Sequence, residues 1–93
     1  MGKNTDLIGA WAEAVAATHF MKRGWDVFVA LNPGSPIDLV IVKGGITRYL
    51  DVKYRRSRRP SGRKLTKEQV SLGVELVHVK DTGDVVETGR KLA

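Results

Sequence analysis

Gly44-Gly45 separates two apolar runs, Ile37 to Lys43 and Ile46 to about Tyr54. Two adjacent glycines between such runs specify a tight β-hairpin, because the turns that suit twisted strands need positive φ at their centre. The hairpin makes the two runs antiparallel neighbours. It also sets their register: Asp38 and Asp51 lie equally far from the turn and face each other. Like charges directly opposed across two strands destabilise a sheet, unless a cation stands between them. Side chains alternate along a strand, so Tyr49, Asp51 and Lys53 share one face and Leu50, Val52 and Tyr54 the other. Asp51 and Lys53 therefore project side by side, about 6.5 Å apart.

The rest of the chain supplies five further elements. A helix is predicted from about Thr5 to Arg23, closed by Gly24. A strand follows over Trp25–Leu31, and Asn32-Pro33-Gly34-Ser35-Pro36 is a turn. Thr66-Lys67-Glu68-Gln69 has the form of a capping box and starts a short helix ending near Gly73. Val74–Lys80 and Val85–Glu87 read as strands joined through Asp81-Thr82-Gly83-Asp84. The order is α-β-β-β-α-β with a last short strand: an α/β fold, a mixed central sheet flanked by helices. The 93 residues imply a single domain.

On the first helix Leu7, Ile8, Trp11, Ala14, Val15 and Met21 form one apolar arc. Glu13 lies opposite, among Gly9, Ala10, Ala16, Ala17 and Phe20. An exposed helix face usually carries longer polar residues. This one is small and apolar, so the helix is expected to be covered on both sides, with a carboxylate inside the second contact. Trp11 and Trp25 are expected in the core, and His19 and His78 at the surface or packed. Tyr49 either lines the acid-bearing face or packs.

Three carboxylates and one ammonium can thus meet: Glu13, Asp38, Asp51 and Lys53. An all-oxygen donor set suits a hard divalent ion, Mg²⁺ or Mn²⁺. Such an ion can hold a phosphodiester and stabilise the charge that develops in its hydrolysis. Charge points the same way. The net charge is +6, yet residues 1–52 carry five acids and five bases. The excess begins at Lys53 and peaks in the acid-free stretch Arg55-Arg56-Ser57-Arg58-Arg59-Pro60-Ser61-Gly62-Arg63-Lys64. A polyanion is the partner this implies. There are no cysteines, which excludes disulfides and thiolate metal sites. No segment approaches the roughly 20 apolar residues that cross a bilayer. The start, Met1-Gly2-Lys3-Asn4-Thr5-Asp6, turns polar too soon for a signal peptide, so an intracellular, cytoplasmic location is expected. Aromatic content of 6% argues against a base-stacking RNA-binding platform.

Pro36-Ile37-Asp38, then Asp51-Val52-Lys53, resembles the signature of the PD-(D/E)XK nuclease superfamily. Glu13 in Gly9-Ala10-Trp11-Ala12-Glu13 resembles the first-helix glutamate of its Holliday-junction-resolvase-like branch. Lys22 to Val27 resembles that branch's passage from helix to strand. Leu65 to Gln69 resembles the glutamine-bearing helix start of resolvases and VRR-NUC nucleases. The chain departs from the pattern where Ile37 separates Pro36 from Asp38, and where Asp51 replaces the glutamate of many relatives. The resemblance implies a restriction-endonuclease-like core and a Mg²⁺-dependent endodeoxyribonuclease acting on branched or junction DNA. By that resemblance Asp38, Asp51 and the Val52 carbonyl bind the metal, and Glu13 binds a second ion or a water. Lys53 orients the nucleophile or stabilises the transition state. Gln69 supports Lys53 or touches phosphate.

Each residue also has a plainer reading. Glu13 can be a solvated helix residue, Asp38 the cap of its turn, and Asp51 with Lys53 an exposed edge-strand pair worth little. The box with Thr66 accounts for Gln69 by itself. The plainer case needs all of these at once. Arg55, Arg56, Arg58, Arg59, Arg63 and Lys64 are expected to hold DNA phosphates and supply no base readout. The alternative is a basic nucleic-acid-binding module without chemistry. A homodimer or higher assembly is expected from small size and from the two cuts a duplex requires. A phage- or mobile-element-borne gene is one expected source. Junction, flap, nick and plain duplex all stay open as substrates.

Overall fold

The computed structural model describes residues 3–56 and 64–89. Its elements are α1 (Lys3–Lys22), β1 (Asp26–Val29), β2 (Leu39–Lys43), β3 (Ile46–Arg55), α2 (Lys67–Leu72), β4 (Val74–Lys80) and β5 (Val85–Gly89). The predicted order holds throughout. Among the described residues no helix is long and apolar enough to cross a membrane.

The five strands form one sheet in sequence order, β1-β2-β3-β4-β5. Pairing is antiparallel except between β3 and β4, which run parallel. A parallel neighbour needs a crossover, and α2 provides it. Gly44 and Gly45 have φ of 56° and 80°, the left-handed pair that a two-residue hairpin demands and that side chains resist. The turn fixes Leu39 opposite Leu50, so the same register brings Asp38 opposite Asp51, one residue before β2 begins.

The sheet is buried on both faces. Toward α1, Leu39, Ile41, Leu50, Val52, Val77 and Val79 pack on Ala12, Ala16 and Phe20. On the other face Leu65, Val74 and Leu76 close over Ile37 and Val70. Half-buried Arg48 ties the α1 side together: it binds Glu75 at 2.8 and 3.0 Å and Glu87 at 3.1 Å, with its guanidinium over Trp25 and Phe20. The helix ends where cations reach its last carbonyls. Arg23 donates to the His19 carbonyl, and the Lys43 ammonium to that of Arg23.

The structure corrects the expected inward face of the helix. Ala12, Ala16 and Phe20 make the sheet contact, while Leu7, Ile8, Trp11 and Met21 are 67%, 40%, 41% and 53% exposed. Close approach decides this. Small residues let the α1 backbone settle onto the strands, and the larger residues of the expected arc ride at its flank. Trp11 accordingly leaves the core and meets Tyr54 edge-on, ring centres 6.2 Å apart. β1 is also shorter than predicted. It ends at Val29, with one further ladder bond from the Ala30 N–H to the Asp38 carbonyl before the chain enters the turn.

Candidate active site

Four segments deliver the acid-and-amine cluster. Asp38 comes from the connection before β2, Asp51 and Lys53 from β3, Glu13 from α1 and Gln69 from α2. Where β2 gives way to that connection, the edge of β3 loses its regular backbone partner. Asp38 substitutes for it. Its own N–H donates to the Leu50 carbonyl at 2.8 Å, and its carboxylate Oδ2 accepts from the Val52 N–H at 2.7 Å. The acid is therefore held by the same ladder that sets the hairpin register.

Asp51 is 3% exposed, on the sheet face that carries its parallel partner Leu76. Its Oδ1 lies 3.6 Å from the Lys53 ammonium, which is one-third exposed. Its Oδ2 is buried and accepts no hydrogen bond among the described residues. Burial pushes the Asp51 carboxyl up from 3.8 to about 6; Lys53 opposes this and the adjacent Asp38 carboxylate adds to it. Glu13 is shifted upward too, first by burial, then by the charge of Asp38, against the pull of Lys53. Glu13 and Asp38 share a cavity of about 200 Å³ with the Ala30–Ser35 loop. Asp38 and Lys53 thus stand within electrostatic reach of both Glu13 and Asp51, which approach them from the two faces of the sheet. Among the described residues no three His, Cys, Asp or Glu side chains close into a ligand cage. The donor set centres on Asp38 and Asp51, with Glu13 at its margin.

Gln69 does more than cap α2. Its Oε1 accepts from the Thr66 N–H at 2.9 Å, and its own N–H donates to the Thr66 hydroxyl at 3.1 Å, the expected capping box. Its Nε2 also donates to the Pro36 carbonyl at 2.9 Å, across 33 residues of chain. Gln69 is 8% exposed and ties α2 to the turn that delivers Asp38. Gln69→Ala is expected to cost about 1–2 kcal/mol in urea denaturation, and Thr66→Ala, which removes the cap alone, about 1 kcal/mol or less. Equal costs would mean that the Pro36 tether contributes nothing.

Of the basic residues, Arg55 is half-buried with Nε unpaired among the described residues, and Arg56 and Lys64 are exposed. Arg58, Arg59 and Arg63 lie outside the described residues. Tyr49 is 37% exposed on the Asp51 face. His78 is buried beside Lys53 on the parallel strand pair, and His19 contacts Glu87 at 3.2 Å. Sequence reasoning did not anticipate the Ala30–Ser35 wall of the cavity, nor the reach of Gln69 to Pro36. The turn residues before Asp38 were the available signal for the first; the second is a long-range contact that no local pattern announces.

No protein-family model matches the chain, and no curated protein sequence matches it. A solved structure of a bacterial homing endonuclease, I-Ssp6803I, is similar with a TM-score of 0.65 and 23% identity, over 89% of this chain and 68% of that one. At this identity the likeness establishes the fold: the chain shares its α/β architecture with that endonuclease.

Proposed function

We propose that this chain is a metal-dependent DNA endonuclease of the PD-(D/E)XK type, in the resolvase-like or VRR-NUC-like part of that superfamily. The observation that carries this is the buried Asp51. A carboxylate with one oxygen unpaired among the described residues, against a second carboxylate and an ammonium, is costly in a fold this small unless a ligand uses it. The groups present fit a hard divalent ion. The oxygens of Asp38 and Asp51 and the Val52 carbonyl would hold Mg²⁺, or Mn²⁺ in its place, with waters completing the shell. When bound, such an ion supplies Lewis-acid charge to a phosphodiester oxygen. The chain's own groups do the rest. Lys53 holds the attacking water or a phosphate oxygen beside Asp51. Glu13 orients a water or a second ion from the α1 side. Gln69 keeps Asp38 in place through Pro36. Water's oxygen bonds to phosphorus, one phosphorus–oxygen bond breaks, and the leaving oxygen takes up a proton.

Outside the site, Arg55, Arg56, Arg58, Arg59, Arg63 and Lys64 would bind the DNA backbone. Junction or branched DNA as substrate, a homodimer, a cytoplasmic location and a mobile-element origin all belong to this reading. The test is incubation with four-way-junction, flap, nicked, duplex and single-stranded DNA in Mg²⁺ and in EDTA. Metal-dependent cleavage of at least one substrate is expected. Binding without cleavage of any of them would leave the basic module. Changing Arg55, Arg56, Arg58 and Arg59 together to Ala should weaken binding and reduce the slope of log K against log salt, by about 0.9 for each phosphate no longer neutralised. An unchanged slope would remove the basic segment from the interface.

A further inference from the structure

Leu31 is 98% exposed, the most exposed large apolar side chain among the described residues. Single exposed leucines are ordinary on protein surfaces. This one is set apart by where it stands and how it is held. It lines the cavity shared by Glu13 and Asp38. The turn behind it is braced at both ends. The Ala30 N–H donates to the Asp38 carbonyl at 3.0 Å, and the Ser35 hydroxyl bridges the Ile37 carbonyl and N–H at 2.8 and 3.2 Å. Gly34, at φ 79°, lets the chain reverse tightly between them. Phe28 and Val29, 56% and 57% exposed, continue the apolar edge from β1. A branched apolar side chain thus projects fully into solvent from a fixed turn at the rim of the carboxylate site.

We propose that Leu31 is a wedge that enters the base stack of DNA beside the scissile phosphate. The inference rests on the endonuclease reading and adds to it a source of structure selectivity. Apolar side chains inserted between base steps unstack them and kink the duplex. The cost is least where stacking is already broken, at a nick, mismatch or branch. A wedge at this rim therefore lets the enzyme bend a continuous duplex at a price that an interrupted one does not pay.

The test uses wild-type protein in Ca²⁺, with short duplexes carrying 2-aminopurine at successive positions, and cleavage assays in Mg²⁺ alongside. Wild type should raise the fluorescence at one step, and Leu31→Ala should abolish the rise without changing the salt slope of binding. In cleavage, Leu31→Ala should lower the rate on continuous duplex about tenfold more than on a duplex nicked at that step, and Leu31→Met should restore the wild-type ratio. At 98% exposure the substitution leaves the fold intact, which thermal melting verifies. If Leu31→Ala keeps the fluorescence rise and the wild-type ratio, the wedge is excluded, even where Asp51→Asn has shown the site to be catalytic. If wild type neither binds nor cleaves any of these DNAs, the endonuclease reading falls and the wedge with it.

Discussion

If the chain cleaves DNA as proposed, Asp51→Asn and Lys53→Ala should each lower cleavage roughly 100- to 1000-fold, with binding to DNA in the absence of cleavage changed far less. The expectation follows from what each substitution leaves behind. Asn fills the same space as Asp51 but carries no charge, so the two-carboxylate donor set is left with half of its anionic oxygens. Lys53→Ala removes the ammonium placed 3.6 Å from Asp51, and with it the group that, on the endonuclease reading, holds a water or phosphate oxygen there. The two effects should be far from additive in the double variant, because both act on one cluster. Single-turnover rates on whichever DNA wild type cleaves provide the measurement, with melting curves to confirm folding. Wild-type cleavage retained by both variants would remove this cluster from the chemistry and return the chain to a basic binding module.

The hairpin explains why so much was legible beforehand. Gly44-Gly45 admits one turn geometry, that turn sets one register, and the register brings Asp38 to Asp51 without any long-range information. Thr66 to Gly73 is equally local: cap, helix and stop are all written in eight residues. The orientation of α1 was not local. Its large apolar arc and its small-residue face both fit a sheet by pattern. Only the sheet's need for a close-fitting surface selects Ala12, Ala16 and Phe20 over Leu7, Trp11 and Met21. Leu31 fails for a related reason. It continues the alternation of a strand, yet it lies beyond the last ladder bond, from Ala30 to Asp38, where the chain has entered the turn. Gln69 was readable as a cap. Its second bond needs the fold, since Pro36 is distant in sequence.

Removing the charge of Asp51 also stabilises the metal-free protein at neutral pH. The carboxyl titrates at about 6 in the folded chain and at 3.8 when exposed, so the native state binds the proton more tightly than the unfolded state. The contribution of that proton is fully present below about pH 4 and is lost as pH rises through about 6, the reverse of a salt-bridged aspartate. The side chain is 5% exposed, so solvent screens little of this. Its loss amounts to about 2–3 kcal/mol. In EDTA at about pH 8, Asp51→Asn should therefore melt on the order of 10 °C above wild type, whereas near pH 4 the two should nearly coincide. Glu13, also shifted upward, adds to the wild-type decline with the same sign and remains in the variant. Mg²⁺ should then invert the order: it raises the melting temperature of wild type by mass action and leaves the variant almost unmoved. A variant that is less stable than wild type in EDTA at about pH 8 would show that Asp51 serves the fold. A gain in stability joined to the loss of cleavage would show the opposite: its buried charge is kept for a ligand, against the interest of the apo fold.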